Sequence, residues 1–234
     1  MNQKTLHGST SLITTGQWSD IRWVLLDMDG TLLDLCYDNA FWREQLPLAY
    51  SLHAQIPLQQ AKDEIEQIVH QKYGQLEWYS IDFWSSRLGF DIRPAKAELK
   101  HMIGFRAGAL AFLKWLRHQN KHIILATNAH PDSIALKNTQ TDLKTLVDRV
   151  LHAHEPGAPK EDPAYWQWLQ RQTGFIGEQT LFIDDSDPIL DSALTAGVKY
   201  CIGVKTPSSA SSAKESRYPA FDHFQELYPV QHLL

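Results

Sequence analysis

Cysteine is scarce in this chain. Only two cysteines occur in 234 residues, Cys36 and Cys201, and they lie far apart in the sequence. Two isolated thiols do not make the disulfide framework that stabilises small secreted domains. We therefore predict two reduced, partly buried thiols in a reducing compartment, and we expect a cytoplasmic protein.

Long apolar runs and basic runs are also missing. No stretch approaches the ~20 apolar residues that span a bilayer, and the N-terminal segment lacks the apolar region and cleavage pattern of a secretory signal. The formal net charge is −5, so charge gives no sign of a nucleic acid or an anionic membrane as partner. A small anionic substrate stays compatible with this charge, because a metal ion and one lysine can reverse the local field.

The distribution of apolar residues predicts three kinds of segment. Residues 1–18 are polar, rich in Ser and Thr and without periodicity, which indicates a flexible N-terminal arm. Residues 19–36 and 102–234 alternate short apolar strands with helical patterns, as expected of an α/β fold with a doubly wound, Rossmann-like parallel sheet. Residues 37–101 have helical spacing and no strand of similar quality, so we predict a helical insertion.

Polar residues follow several predicted strands at the same end. The carboxyl ends of parallel strands meet at one edge of the sheet, where ligands bind in such folds. We therefore expect one crevice to collect the residues at three strand ends and in one adjoining loop: Asp27, Asp29 and Gly30, Thr127 and Asn128, Asp184 and Asp185, and Lys160.

The residue types in this crevice predict a metal-assisted reaction on phosphate. Several carboxylates in a small volume would mostly protonate unless a cation neutralises them, and carboxylates without nearby His or Cys favour Mg²⁺ over Zn²⁺. Lys160 can act as a point charge on phosphate oxygens. The Thr127 hydroxyl and the backbone N–H groups near Asn128 and Gly30 can donate further hydrogen bonds to the same anion.

Each feature has an ordinary structural alternative when taken alone. An Asp-x-Asp at a strand end is commonly a turn or a helix cap, Thr-Asn after a strand is commonly an N-cap, and a single lysine is commonly solvated. Their joint occurrence at the strand ends favours a site. His130 is open to two interpretations, a residue that approaches the substrate or a surface residue at the start of a helix. Lys137 and Lys144 are weaker candidates for the phosphate-binding lysine.

Four segments carry a resemblance to a known family. The segment LLDMDGTLLD, followed by LATN, PK and LFIDD, resembles the four motifs of the haloacid dehalogenase superfamily, in the same order across residues 21–203. The DxDGT pattern is highly specific, whereas the threonine and lysine motifs are weak alone. One departure concerns the third motif, which reads Lys160-Glu161-Asp162-Pro163 where related phosphatases often have Lys-Pro-x-Pro.

The resemblance implies a phosphatase that forms an aspartyl-phosphate. Asp27 would attack phosphorus as the nucleophile, and Asp29 would protonate the leaving alkoxide and then deprotonate the hydrolytic water. A second acid at position 29 argues against the dehalogenase branch. The resemblance also implies a Mg²⁺ site and a phosphoryl site, the first built from Asp27, Asp29 (through its backbone carbonyl), Asp184 and Asp185, and the second from Gly30, Thr127, Asn128 and Lys160.

The insertion resembles the first-type cap of the superfamily, which closes over the site and selects the leaving group. The insertion is rich in aromatic residues, of which we expect most to pack a helical bundle and one or two to stack on a base. Segments such as LEWYSIDFW and TNAHPDSIALK resemble the bacterial GMP/IMP nucleotidase subgroup, which implies a purine nucleoside monophosphate as substrate. The alternatives are a phosphatase of small sugar phosphates or phosphoglycolate, a phosphomutase, and a non-catalytic binding protein.

Overall fold

A six-stranded, entirely parallel sheet forms the centre of the protein. The structure, a computed structural model, describes residues 11–229. In spatial order the strands are β3, β2, β1, β4, β5 and β6. Along the chain they are β1 (Trp23–Leu26), β2 (His122–Thr127), β3 (Arg149–His152), β4 (Thr180–Asp184), β5 (Tyr200–Val204) and β6 (Ala220–Phe221).

The position of β1 explains why the site can form. β1 lies between β2 and β4, and its residue Leu26 pairs with Leu125 on one side and Ile183 on the other. The three strand ends predicted to carry the site are therefore neighbours in the sheet. The near-continuous apolar residues of these strands are buried on both faces, as is usual where helices cover a parallel sheet. The predicted fold class is confirmed.

Twelve α-helices lie within the described residues. No helix between residues 11 and 229 is long and apolar enough to cross a membrane. The helices are α1 (Thr15–Asp20), α2 (Cys36–Ala40), α3 (Leu46–Ala54), α4 (Leu58–Lys72), α5 (Leu76–Tyr79), α6 (Ile81–Leu88), α7 (Arg93–Glu98), α8 (Ala109–His118), α9 (Pro131–Thr141), α10 (Leu143–Leu146), α11 (Pro163–Thr173) and α12 (Asp187–Thr195).

The predicted arm differs from the structure over residues 11–18. Residues 1–10 lie outside the described part of the chain, but Ile13 and Trp18 are buried in the core beneath the sheet. The indole N–H of Trp18 donates a hydrogen bond of 2.7 Å to the carbonyl of Leu227. Thr14 and Gln17 form a reciprocal capping box at the start of α1. The sequence did not predict the burial of Ile13 and Trp18, because the residues around them are polar and a helix as short as α1 has too few residues to show periodicity.

Helices α2 to α7 fill the stretch between β1 and β2 that the sequence predicts as an insertion. They enclose a separate apolar cluster in which Phe41 and Trp84 are fully buried. A π-helical turn at Phe41–Gln45 joins α2 to α3. Most aromatic side chains of the insertion therefore pack its own core, as expected. The bounds 37–101 of the insertion stay a prediction; we refer to residues 37–101 as the cap.

One lysine is buried in the cap without an acidic partner. Lys96 is only 2% exposed, and among the described residues no carboxylate lies within salt-bridge distance of its ammonium. Nζ instead lies 4.1 Å from the centre of the Phe41 ring and 5.2 Å from that of Trp42. Burial lowers the pKa of Lys96 to about 8 from its ordinary value of 10.5, because desolvation disfavours the charged form.

Replacing Lys96 with methionine is expected to stabilise the protein at pH 7. Below pH 8 the ammonium is charged in the folded and unfolded states, and only the folded state carries the desolvation cost. Between pH 8 and 10.5 the folded state releases the proton first, so wild-type stability rises with pH. Lys96→Met should therefore raise the free energy of unfolding by about 1–3 kcal/mol at pH 7, with a gain that shrinks by pH 10. Urea unfolding at both pH values measures this; a loss at pH 7 would mean that the cation–π contacts outweigh desolvation.

Candidate active site

The chain turns sharply where β1 ends, and this turn presents Asp27 at the edge of the sheet. The backbone N–H of Asp27 still donates to Ile183 at 3.0 Å, which fixes its position relative to β4. Three residues later Gly30 adopts a φ of +86° and donates to the Leu33 carbonyl at 2.8 Å. Glycine adopts this left-handed conformation without steric cost. Asp27 is buried, with 6% of the residue exposed.

Three carboxylates from two neighbouring strands converge at this point. Oxygen atoms of Asp27, Asp184 and Asp185 all lie within 4.8 Å of one another. Asp184 is the last residue of β4 and is 1% exposed, and Asp185 follows it at the sheet edge. Their spacing and hard oxygen donors fit a divalent cation that keeps positions open for water or substrate.

Lys160 lies against the same carboxylates. Its ammonium forms ion pairs with Asp27 and with Asp184, the latter at 2.6 Å, and its side chain is 1% exposed. The Lys160 carbonyl accepts a hydrogen bond of 2.8 Å from the indole N–H of Trp166 on α11, which holds the loop in place. The alternative of a solvated surface lysine is therefore wrong.

The charges of this group are not balanced by the protein alone. Three carboxylates against the buried ammonium of Lys160 and the more exposed ammonium of Lys214 leave an excess of one negative charge when all are ionised. Burial raises the pKa of Asp27 to about 7 and that of Asp184 to about 6, against the opposing effect of Lys160. Burial also lowers the pKa of Lys160, but Asp184 and Asp27 outweigh this and hold it above its ordinary value. A bound dication would relieve this excess, so the donor set fits a divalent metal.

Thr127 and Asn128 lie at the end of β2, on the other side of β1. The Thr127 hydroxyl is buried and accepts a hydrogen bond of 3.1 Å from the Ala129 N–H. The Asn128 side-chain oxygen accepts a hydrogen bond of 2.8 Å from the Lys160 N–H. Asn128 therefore ties the second predicted motif to the loop that carries Lys160.

Asp29 lies apart from the three clustered carboxylates. Its Oδ1 lies 2.6 Å from the ammonium of Lys137, at an angle that gives an ion pair but no hydrogen bond to that oxygen. Lys137, on α9, also donates to both carboxylate oxygens of Asp38 at 2.9 and 2.8 Å. Burial raises the pKa of Asp29 to about 7, against the effect of Lys137. The Asp29 side chain thus pairs with a second buried lysine, and only its backbone carbonyl stays a predicted metal ligand.

Sequence reasoning missed a contact between the cap and the lysine loop. The Tyr79 hydroxyl, at the end of α5, donates to Glu161 Oε1 at 2.7 Å. The other Glu161 oxygen accepts a hydrogen bond of 2.9 Å from the Asn128 side-chain amide. Glu161 is the residue at which the third motif departs from the family pattern, and this departure was the one signal of the contact.

Two further lysines differ in their relation to the site. Lys214 lies 3.0 Å from Asp185 Oδ2 and also donates to the Asp185 carbonyl; no motif marks this residue, which stands in a Ser-rich stretch. Lys144, a weaker candidate for the phosphate-binding lysine, is exposed on α10.

His130 begins α9 as its N-cap, as one of the two interpretations predicts, but it is not on the surface. Its Nδ1 accepts a hydrogen bond of 3.2 Å from the Asp132 N–H, and the side chain is largely buried. Nε2 lies 3.4 Å from Asp82 of the cap. Arg93 of the cap crosses to Asp132 at 2.6 Å in the same area. This histidine therefore lies where the cap meets the rest of the described chain, residues 11–36 and 102–229, which we call the sheet domain.

Replacing Gly30 with alanine is expected to destabilise the protein more than a comparable glycine replacement. A Cβ at position 30 would stand 2.9 Å from Cγ of Asp185 and 3.0 Å from Cβ of Pro207. At Gly174, which ends α11 with a φ of +70°, a Cβ meets nothing within 4 Å. Gly174→Ala should cost about 1 kcal/mol through backbone strain alone, and Gly30→Ala about 2–4 kcal/mol through strain plus overlap. Urea unfolding of both variants measures the difference; equal losses would contradict the overlap.

Comparison with protein families identifies a match over most of the chain. The model of the haloacid dehalogenase-like hydrolases matches residues 21–197. Among solved structures, a HAD phosphatase from Thermococcus onnurineus is similar with a TM-score of 0.74 and 18% identity, over 88% of this chain and 96% of that one. At this identity the structural likeness concerns the fold alone.

Two characterised relatives are similar in sequence. They are the GMP/IMP nucleotidase YrfG of Escherichia coli strain K12 and the protein of the same name from Shigella flexneri. Each is 40% identical over 213 residues, which cover 91% of this chain and 96% of the relative. The similarity therefore extends over the cap as well as over the sheet.

Proposed function

The chain belongs to the haloacid dehalogenase-like hydrolases, and from this premise we propose that it is a Mg²⁺-dependent phosphatase of purine 5′-mononucleotides. The observation that carries the proposal is the convergence of Asp27, Asp184 and Asp185 around one position, with the Lys160 ammonium against two of them. A carboxylate nucleophile, a cation site and a phosphate-binding lysine are what phosphoryl transfer needs.

In the first half-reaction, a carboxylate oxygen of Asp27 attacks phosphorus. The new O–P bond forms as the bond from phosphorus to the nucleoside O5′ breaks, which leaves an aspartyl-phosphate. The Asp29 carboxyl group gives its proton to the departing O5′, so the nucleoside leaves as a neutral alcohol. Asp29 suits this task because burial raises its pKa to about 7, which keeps part of it protonated near neutral pH.

In the second half-reaction, water attacks the same phosphorus. Asp29, now a carboxylate, takes one proton from this water, and the bond between phosphorus and Asp27 breaks to release inorganic phosphate. Asp27 returns to its starting form, and Asp29 regains its proton. No oxidant, reductant or second substrate besides water enters the cycle.

Mg²⁺ would be held by the Asp27 and Asp185 carboxylates and the Asp29 backbone carbonyl, with Asp184 assisting directly or through water. Its charge would stabilise the negative charge that develops on the transferring phosphoryl group. Lys160, the Thr127 hydroxyl and the backbone N–H of Asn128 are proposed to hold the phosphoryl oxygens, whereas the backbone N–H of Gly30, also predicted for this task, already donates to the Leu33 carbonyl. The Asn128 side chain is already engaged by Lys160 and Glu161.

The nucleotide part of the proposal is supported by the similarity over most of the chain to relatives named as GMP/IMP nucleotidases. Tyr79 adds a structural argument, because it carries a cap aromatic ring to the loop that follows Lys160. An aromatic side chain at this location is suited to stack on a base, a contact worth ~1–3 kcal/mol. We propose that the cap selects the purine and that the strand ends perform the chemistry.

A phosphate-release assay across a substrate panel tests this proposal. With Mg²⁺, GMP and IMP should be hydrolysed at least tenfold more efficiently than CMP, glucose 6-phosphate or phosphoglycolate. Equal or faster turnover of the sugar phosphates or phosphoglycolate would reject the nucleotide assignment while keeping the phosphatase. A phosphorylated organic product instead of free phosphate would indicate a phosphomutase. Binding without turnover of any substrate would favour a non-catalytic protein.

A cytoplasmic location is part of the same proposal. Cys36 and Cys201 are both free thiols, which suits a reducing compartment. Fractionation of cells with an antibody against the chain, alongside a cytoplasmic and a secreted marker, tests the location.

A further inference from the structure

Two buried lysines divide four acidic residues at the site between them. Lys160 pairs with Asp27 and Asp184, whereas Lys137 pairs with Asp29 and Asp38. Lys137 is only 2% exposed. The separation is complete within these four ion pairs, since neither lysine shares a carboxylate with the other. The two lysines therefore have different tasks.

The neighbours of Lys137 argue against a phosphate-binding task for it. Its ammonium already contacts both oxygens of Asp38 at 2.9 and 2.8 Å and Oδ1 of Asp29 at 2.6 Å. The Tyr37 ring covers it further, with its centre 5.3 Å from Nζ. Two of its three N–H donors hydrogen-bond to Asp38, and the Asp29 carboxylate lies against the same ammonium as an ion-pair partner. Lys137 is thus placed to hold the carboxylates of Asp29 and Asp38 rather than to bind the phosphate of the substrate.

The position of Asp38 shows which parts of the protein Lys137 connects. Asp38 lies on α2, the first helix after β1, and Lys137 lies on α9 of the sheet domain. The pair lies 99 residues apart in sequence, so it fixes the start of the cap to the sheet domain. Asp29 lies between β1 and α2, and its carboxylate contacts the same ammonium.

We propose that Lys137 is a positioning residue that, anchored by Asp38, holds the Asp29 carboxyl group where it reaches the leaving oxygen of the substrate. The inference rests on the acid role of Asp29 in the proposed function. It assigns Lys137 no contact with phosphate. Loss of Lys137 leaves the nucleophile Asp27 and its partner Lys160 in place, but it frees Asp29 to rotate away from the substrate.

The consequence depends on the leaving group. A nucleoside or alkyl phosphate releases a strongly basic alkoxide, which needs a proton from a correctly placed acid. p-Nitrophenyl phosphate releases a weakly basic phenolate, which leaves without one. Because kcat/KM reports the first half-reaction and not the common hydrolysis of the aspartyl-phosphate, a defect in acid placement lowers kcat/KM for alkyl phosphates selectively, whereas a defect in phosphate binding or in the nucleophile lowers it for both classes.

The experiment compares Lys137→Met with the wild type on GMP, on another alkyl phosphate that the enzyme hydrolyses, and on p-nitrophenyl phosphate. We expect kcat/KM for the alkyl substrates to fall about 10- to 100-fold and that for the aryl substrate to fall less than about threefold. Asp29→Asn should show the same selectivity to a greater degree. Lys144→Met, which removes an exposed lysine on α10, should leave both classes unchanged.

Lys137→Met leaves two carboxylates close together, so a second variant guards against misfolding. Lys137→Met combined with Asp38→Asn removes one charge of each sign, and an unchanged kcat/KM for the aryl substrate shows that fold and nucleophile are intact. Equal losses on aryl and alkyl substrates in both variants, beside a selective loss in Asp29→Asn, would overturn the inference and leave the proposed function standing. An unselective loss in Asp29→Asn would instead reject the acid role of Asp29 itself.

Discussion

Asp27→Asn is expected to lower phosphatase activity by about 10⁴-fold or more, because the amide cannot attack phosphorus and no other residue replaces a covalent nucleophile. The fold should tolerate the change. Burial raises the pKa of Asp27 to about 7, so the folded state disfavours its charge and gains little stability from it at neutral pH. A neutral amide of the same shape should give equal or higher thermal stability. We therefore expect the variant to lose activity while its melting temperature stays the same or rises.

Phosphate release from GMP and thermal unfolding of the same preparation measure both quantities. Asp20→Asn, an exposed carboxylate on α1, is the matched control and should retain full activity. A second measurement concerns the intermediate: acid-quenched wild-type enzyme should carry the mass of one phosphoryl group on the peptide that contains Asp27. Retained activity in Asp27→Asn, or a phosphoryl group on another peptide, would contradict the covalent mechanism.

The sheet and its strand-end residues could be predicted from the sequence because each is a local signal. A short apolar strand that ends in polar residues, such as Leu26 followed by Asp27, is visible within ten residues of chain. Parallel topology then brings such ends together without any knowledge of tertiary contacts. The same reasoning predicts that Asp184 and Asp185 lie close to Asp27, and in the structure the three carboxylates lie together.

The contacts that connect the cap to the site could not be predicted in this way. Lys137 contacts Asp38 across 99 residues and Tyr79 contacts Glu161 across 82 residues. No period or motif marks the first pair, and only the departure of the third motif at Glu161 marks the second. Such contacts depend on how two separately packed units dock. The burial of Trp18 was missed for a related reason, since its partners are distant in sequence: its ring packs against Phe112 and Trp115, and its indole N–H donates to the carbonyl of Leu227.

Removal of divalent metal is the second change with a large expected effect. Treatment with EDTA should reduce phosphate release at least about 10³-fold, because the clustered carboxylates would then repel the phosphate dianion. Added Mg²⁺ should restore activity, and Ca²⁺ should restore much less, since Mg²⁺ holds a tighter octahedral geometry. Full activity in EDTA would reject the metal and the interpretation of the cluster. The test needs no variant and therefore carries no risk of misfolding.

Asp185→Asn tests the proposed role of Asp185 as a metal ligand with the least disturbance to the rest of the cluster. Asp184 is fully buried against Lys160, so its replacement would also disturb the lysine, whereas Asp185 is partly exposed and pairs only with Lys214 among the described lysines and arginines. The variant should need about 10- to 100-fold more Mg²⁺ for half-maximal activity, and saturating Mg²⁺ should recover much of the rate. Asp191→Asn, on α12 and paired with Arg217, should leave the Mg²⁺ requirement unchanged. A fall in rate that no Mg²⁺ concentration restores would mean that Asp185 acts on the substrate rather than on the metal.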